Sequence, residues 1–334
     1  MAAGAIPVCL CGANQRTIAP AETVLPANLC PLIKSSFGYI LTNRCPFYVV
    51  SDLIVAETTC DGKKKMYELL TERKEIHVLE LTQRVEVERA FNHWFLEVVD
   101  LKHKLENIFN TKITDEKLRS AIKRMNKERK LLLRALKLGA HNPSIVSGRE
   151  LAKLRYRVSG YPNHLNMLEK FIEKIEARVE KGYKDISPNA PRVLLTGCPT
   201  AHGTTKVIEL IEECGGVVVV QEACSGIKPL AALTSENGDP LKAIAQKHFN
   251  IPCSCMTPNT GRIELIKELA NEFAVDAVVD LVWQACHTYN IESFLVEEFV
   301  KNTLKLPYLK LETDYSDSDR EQLMVRIQTL MEIA

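Results

Sequence analysis

The stretch Val279-Asp-Leu-Val-Trp-Gln-Ala-Cys-His-Thr-Tyr-Asn-Ile-Glu-Ser293 decides how this chain is read. Residues 278–282 are a short apolar run, the mark of a strand buried on both faces. The run leads to Cys286-His287, and a helical pattern sets in from Ile291. Strand, loop and helix in that order are the unit of a parallel α/β sheet. In such sheets, ligands collect outside the carboxyl ends of the strands. A thiol and an imidazole set down at that edge mark a candidate site, and the other cysteines can be read against it.

The same rhythm runs outward in both directions. Residues 192–197 read as a strand leading to Gly-Cys-Pro199, followed by a helix over 204–214. Residues 216–220 form a buried strand that ends at Glu222-Ala-Cys-Ser-Gly226. Helices are expected over 240–249 and 262–273, with Ile251-Pro-Cys-Ser-Cys255 as a loop between them. A last strand over 306–311 runs into Glu312-Thr-Asp-Tyr315, and a helix over 318–333 closes the chain. Residues 187–334 are thus expected to be a C-terminal α/β domain. Residues 1–82 read as an N-terminal α/β domain, with strands at 6–10, 47–50, 53–55 and 76–79 and helices over 32–39 and 63–70. Residues 83–186 read as a helical segment, with apolar residues at three and four spacing. Its first helix covers 85–109. Thr114 caps a second, with Asp115 and Glu116 in the first turn, that runs to 138. Further helices start near Gly148 and Asn163.

The composition excludes several classes of function. Hydrophobic content of 46% and charged content of 25% are those of a globular protein. A net charge of +1 gives no reason to expect a nucleic acid or an anionic membrane as partner. No apolar run reaches the ~18 residues of a membrane helix. The start lacks the basic region of a secretory signal, so a cytoplasmic protein is expected.

Eleven cysteines are many for such a chain. In a reducing cytoplasm they are not expected to be disulfides, and free cysteines are often small buried apolar residues. Cys30, Cys45, Cys60, Cys198, Cys224, Cys253, Cys255 and Cys286, however, sit beside Pro, Gly, His or another Cys near strand ends or in loops. Thiolates from separate loops can converge on iron–sulfur clusters or zinc. The chain has no Cys-x-x-Cys pair; its close pairs are Cys9-x-Cys11 and Cys253-x-Cys255.

Other chemistries compete. Cys286 and His287 could form a nucleophile pair, but neighbours on a strand point to opposite faces. Thr196-Gly-Cys-Pro-Thr-Ala-His-Gly203 could cradle a phosphate, yet it lacks the Walker lysine. Glu312 and Asp314 read equally as a turn cap, and Lys63-Lys-Lys65 as a solvated face. His93, His103, His141 and His164 read as surface or satisfied helix histidines.

Five stretches then match a family. They are Asn28-Leu-Cys-Pro-Leu-Ile-Lys-Ser-Ser36, Glu57-Thr-Thr-Cys-Asp-Gly-Lys-Lys-Lys-Met-Tyr-Glu68, Ile251-Pro-Cys-Ser-Cys255, Trp283-Gln-Ala-Cys-His-Thr-Tyr289 and Leu311-Glu-Thr-Asp-Tyr-Ser316. Over nearly its whole length the chain resembles the 2-hydroxyacyl-CoA dehydratase D-component and benzoyl-CoA reductase family, and within it the double-cubane cluster proteins most of all. The resemblance implies two Rossmann-like domains with parallel sheets, a helical segment between them, and iron–sulfur ligation in the crevice between the domains. A dehydratase subunit holds one 4Fe–4S cubane on three cysteines, at positions matching Cys30, Cys60 and Cys286. A double-cubane protein holds an 8Fe–9S group and needs three more. For these the candidates are Cys45, Cys224 and Cys255, with Cys253 the alternate and Cys198 behind them. Cys9, Cys11 and Cys214 read as packing residues.

Three functions are therefore expected, in this order. The first is a double-cubane reductase component acting on small molecules. The second is a dehydratase subunit that eliminates water through a ketyl radical. The third is a non-catalytic metal-binding or electron-relay protein. The resemblance also implies a homodimer charged by a separate ATP-dependent iron–sulfur reductase, itself a homodimer. Relatives usually carry a further segment ahead of Met1, so the first sheet is expected to lack a strand and expose an edge. Residues 47–50 are less aromatic than in relatives, which bears on the shape of the pocket.

Overall fold

The computed structural model describes residues 1–154, 163–180 and 185–334. The chain is an α/β fold with two small parallel sheets separated by helical stretches. In the first sheet β1 (Ile54–Glu57) pairs with β2 (Ile76–Leu79), Ile54 opposite Ile76, and the helix Asp61–Thr71 makes the crossover between them. The second sheet contains β3 (Arg192–Gly197), β4 (Val217–Glu222), β5 (Ala277–Trp283) and β6 (Tyr308–Thr313), in the order β4-β3-β5-β6. Every residue of β3, β4 and β5 is buried, which is why these strands are written as nearly unbroken apolar runs.

The strand order reverses between β3 and β5. β4 lies on one side of β3, and the later strands lie on the other. Such a switch point leaves a crevice at the carboxyl ends of the two strands. Cys198 directly follows β3 there, and Cys286 follows β5 after a short turn.

Alternate residues of the strands feed two cores. Leu195, Val218, Val279 and Leu281 pack with Ile208 and Ile327 and are continuous with Ile33, Phe37 and Ile54 of the N-terminal unit. Leu194, Val219 and Val278 face the other way. They meet Leu132 and Leu136 of the helix Asp115–Lys137, Leu168 and Ile172 of the helix His164–Glu180, and Ile266 and Leu269 of the helix Thr260–Glu272. The helical segment is therefore the cover of one sheet face. Gly139 permits its close approach, since a Cβ there would stand 2.1 Å from the carbonyl oxygen of Val219. The helix Glu88–Ile108 packs on the helix Pro240–Phe249, where the Trp94 indole N–H donates to the carbonyl of Ala245 at 3.0 Å. Part of the 83–186 segment lies outside the described residues. No helix among the described residues is long and apolar enough to cross a membrane.

Three expectations need correction. Residues 6–10 form no strand; Pro7 has no N–H to give to a ladder. Residues 47–50 belong to the helix Pro46–Val50. Pro46 presets the first helical φ, and the sulfur of Cys45 accepts the Tyr48 N–H at 3.3 Å as a cap. Val49 and Val50 consequently face solvent. The helix after β5 begins at His287, directly on Cys286, and runs to Phe299. Among the described residues, one α/β half has two paired strands and the other has four.

Candidate functional site

A cleft of about 2770 Å³ opens where the switch point faces the N-terminal unit. Cys30, Cys60, Cys198, Cys224, Cys253, Cys255 and Cys286 line it, and so does Cys9, which is exposed and not the packing residue expected; Cys45 does not. All eleven cysteines are free thiols.

The first group gathers around Cys286. Ala285 adopts a left-handed conformation, φ 59°, and the N–H of Cys286 closes a turn on the carbonyl of Trp283 at 2.9 Å. This turn sets Cys286 at the N-cap of the helix His287–Phe299. The thiols of Cys198 and Cys30 donate to its sulfur and, with the Tyr289 N–H, hold it well below the usual thiol range against the opposing effect of burial. Cys30 moves the other way, because its proton is shared with Cys286 and it is buried. Burial, followed by the same hydrogen bond, raises Cys198. Cys198 is fixed by the sheet. Its N–H reaches the carbonyl of Leu281 at 2.7 Å, and its sulfur accepts the Trp283 N–H at 3.3 Å. The strand ends meet this closely only because residue 197 is glycine, φ 100°; a Cβ there would lie 2.2 Å from the Leu281 oxygen.

Cys30 occupies the N-cap position of the helix Pro31–Leu41 without a side-chain cap bond, and Cys60 caps the helix Asp61–Thr71, where its sulfur accepts the Lys63 N–H at 3.4 Å. Cys30, Cys60 and Cys286 thus each stand at a helix N-terminus. The helix N-termini carry roughly half a positive charge, which favours thiolate and opposes the burial that raises Cys60.

The second group lies along the same cleft. The Cys255 thiol donates to Cys253 and depresses it, and the Asn259 amide holds the carbonyl of Cys253 at 3.0 Å. Cys224 follows β4, is exposed, neighbours Cys253, and accepts a hydrogen bond from the Tyr289 hydroxyl. Cys45 is elsewhere. Its buried sulfur accepts the N–H groups of Cys11 at 3.2 Å and Tyr48 at 3.3 Å.

A buried charge network that was not anticipated braces this wall. The side chains of Glu222, Lys228, Arg262 and Asp280 have no exposed surface. Glu222 pairs with Lys228 at 2.7 Å and with Arg262 at 3.1 Å. Arg262 also meets Glu292 at 2.5 Å, and its guanidinium stacks over the Tyr289 ring at 4.8 Å. Lys228 donates to the Tyr289 hydroxyl at 3.2 Å, so the network ends on the residue that contacts Cys224. Asp280 was its one sequence signal, a carboxylate in the middle of an apolar strand.

The competing readings find other places. Thr196 donates to Glu222 at 2.5 Å inside this network. Asp314 accepts the Ser316 N–H at 2.8 Å as a turn cap. His103 and His141 are exposed. His164 is buried 3.4 Å from Glu128. His93 lies on the surface with Glu80 and Glu97, their ligand atoms within 4.8 Å of one another, a grouping the sequence spacing did not show.

Sulfur donors on one cleft suit a soft or iron–sulfur centre better than a hard cation. The buried hydroxyl of Tyr315, beside Cys30, Cys198 and Cys286, has no hydrogen-bond partner, and this agrees with a group seated among those thiols.

The family model described as 2-hydroxyglutaryl-CoA dehydratase, D-component, matches residues 1–334. YjiM of Escherichia coli (strain K12), provisionally named a dehydratase subunit, is 41% identical over 336 residues, covering 100% of this chain and 87% of the relative. The (R)-phenyllactyl-CoA dehydratase beta subunit of Clostridium sporogenes is 23% identical, covering 99% of this chain and 87% of the relative. A subunit of the benzoyl-CoA reductase of Thauera aromatica is 23% identical, covering 73% of this chain and 63% of the relative. With thiols gathered at its switch point and the family model matched from end to end, the chain belongs to the 2-hydroxyglutaryl-CoA dehydratase D-component and benzoyl-CoA reductase family.

Proposed function

We propose that this chain is a subunit of a dehydratase acting on 2-hydroxyacyl-CoA thioesters, with Cys30, Cys60 and Cys286 holding a 4Fe–4S centre. The observation that carries this reading is the arrival of these three helix N-caps on one cleft. When bound, such a centre supplies one-electron chemistry and, on three thiolates, an iron with an open position. The chain's own part is to hold and enclose it. Three helix N-termini offset the negative charge of the thiolates. Trp283, nearly fully buried, walls the strand side of the cleft. A cleft of about 2770 Å³ is well above the ~300–1,000 Å³ of common ligand pockets and has room for an extended thioester. Lys64, half exposed on its rim and 3.0 Å from Asp61, offers a cation to a phosphate-bearing ligand.

Relatives named as beta subunits favour an assembly with a second, different subunit. The family resemblance adds an ATP-dependent iron–sulfur reductase as electron source. Free cysteines throughout suit a reducing cytoplasm.

One observation favours a second reading, a double-cubane reductase component. Cys224, Cys253 and Cys255 form another thiol group in the same cleft and could carry a second cubane. In that reading the partner is a second copy of the chain.

Iron and acid-labile sulfide per chain, measured on protein purified without oxygen, with electron paramagnetic resonance after reduction, tests both. About four of each, lost in Cys286→Ala, supports the dehydratase reading. About eight iron and nine sulfide selects the double cubane. Folded protein that takes up no iron under reconstitution overturns both.

A further inference from the structure

Tyr315 is a buried phenol with an unused donor. Its side chain is 8% exposed, and its hydroxyl is sealed from solvent without a hydrogen-bond partner. Buried polar groups are nearly always paired, so an orphan needs an explanation. Slack in the ring does not supply one. The Trp283 ring meets it edge-on, centroids 5.0 Å apart and planes at 85°. Trp283 is itself tied by its indole N–H to the carbonyl of Pro199 at 3.0 Å. The backbone around Tyr315 is fixed as well, by Asp314 accepting the Ser316 N–H and hydroxyl at 2.8 and 2.7 Å.

Tyr315 shares one buried cluster with Cys30 and Cys198, and Cys286 packs against it; these are the thiols whose charge the phenol feels. Tyr315 also lines a small polar cavity of about 200 Å³, together with Lys206, Glu209, Asp314 and Asp317. The carboxylates there do not accept from the phenol: Glu209 accepts the Thr205 hydroxyl at 2.6 Å, and Asp314 accepts from Ser316. The hydroxyl therefore has no partner in the cavity, and the thiols of its own cluster are the acceptors left to it.

We propose that Tyr315 is a positioning residue whose hydroxyl donates a hydrogen bond to a sulfur of the metal centre held by the Cys30 and Cys286 group. This rests on the metal-centre reading above. A donor aimed at a cluster sulfur stabilises the more negative, reduced state, so removing it moves the reduction potential downward.

The test compares wild type with Tyr315→Phe, both purified without oxygen. Iron and sulfide per chain are measured first, followed by a redox titration read by electron paramagnetic resonance. The expected result is unchanged iron content and a more negative potential in Y315F. Electron–nuclear double resonance on the reduced wild type, before and after exchange into D2O, is expected to show a coupled exchangeable proton that Y315F lacks. Equal potentials and equal proton couplings overturn the role of Tyr315 and leave the metal centre standing. Wild type without iron overturns both. Should Y315F fail to hold iron, Tyr315→His, which keeps an N–H donor on a ring, decides: retained iron supports the donor role, and loss of iron in both variants overturns it.

Discussion

Arg262 and Glu222 form an ion pair from which water is excluded on both sides, Nε to Oε2 at 3.1 Å with neither side chain exposed. The guanidinium also serves Glu292 at 2.5 Å and stands 3.9 Å from Asp280. Removing one member of such a network strands the others as uncompensated buried charges, at about 3–5 kcal/mol. Arg262→Met keeps much of the volume and removes the charge. It is expected to lower unfolding stability by that amount in a denaturant titration. A loss below about 1 kcal/mol would mean that Lys228 alone neutralises the carboxylates.

Lys247 gives a pH dependence of known sign. It is 6% exposed, and its amine donates to the carbonyl of Pro229 at 2.7 Å. Burial, and then the positive charge of Arg129, lowers its pKa from 10.5 to about 8. Between those values the unfolded chain binds more protons than the folded one, so stability contributed at this site rises with pH across that window. Below pH 8 both states are protonated and the full penalty applies. It is on the order of 3 kcal/mol, less about 1 for the hydrogen bond. Lys247→Met is therefore expected to be more stable than wild type at pH 7 by roughly 2 kcal/mol. The gap should close as pH approaches 10. A gap that is constant from pH 7 to 10 would show that the amine is not desolvated.

Cys45 and Cys60 separate capping from metal holding. Both sulfurs cap helices, but only Cys60 lines the cleft. Serine can keep either cap at a cost under about 1 kcal/mol. Cys45→Ser is expected to retain the iron of wild type, and Cys60→Ser to lose it. Iron loss in C45S would bring that thiol into the ligand set.

Much of the C-terminal sheet was legible because buried parallel strands have little choice of residue. The runs at 217–220 and 278–282 are what a strand covered on both faces requires. Thr114 was legible as a cap for a local reason, since its hydroxyl serves a backbone N–H three residues on, at 3.4 Å. Residues 47–50 misled because β-branched and aromatic residues suit strands, while Cys45-Pro46 just before them sets up a helical turn. Cys30, Cys45 and Cys198 are each followed by proline. Whether such a pair faces the cleft depends on the strand order, which no local pattern encodes. The network of Glu222, Lys228, Arg262 and Glu292 was hidden for a related reason: its members lie on four separate elements and meet only after folding.

Ala285 immediately precedes Cys286 and takes φ 59°, a conformation that costs a residue with a Cβ ~1–2 kcal/mol. Glycine would remove that cost while adding some entropy to the unfolded chain, ~0.4–1 kcal/mol. Ala285→Gly is thus expected to stabilise the protein by up to about 1 kcal/mol. Ala285→Val, a β-branched residue at positive φ, is expected to destabilise it by roughly 2 kcal/mol or more. Strain kept beside a candidate ligand is understandable if the turn aims the sulfur. The Ala285 Cβ narrows the conformations open to Cys286, and glycine would widen them. A285G should then raise the denaturation midpoint and, at the same time, hold iron less tightly against a chelator than wild type does. A higher midpoint with unchanged chelator resistance would make the turn a neutral feature of the chain. A lower midpoint would place the strain elsewhere.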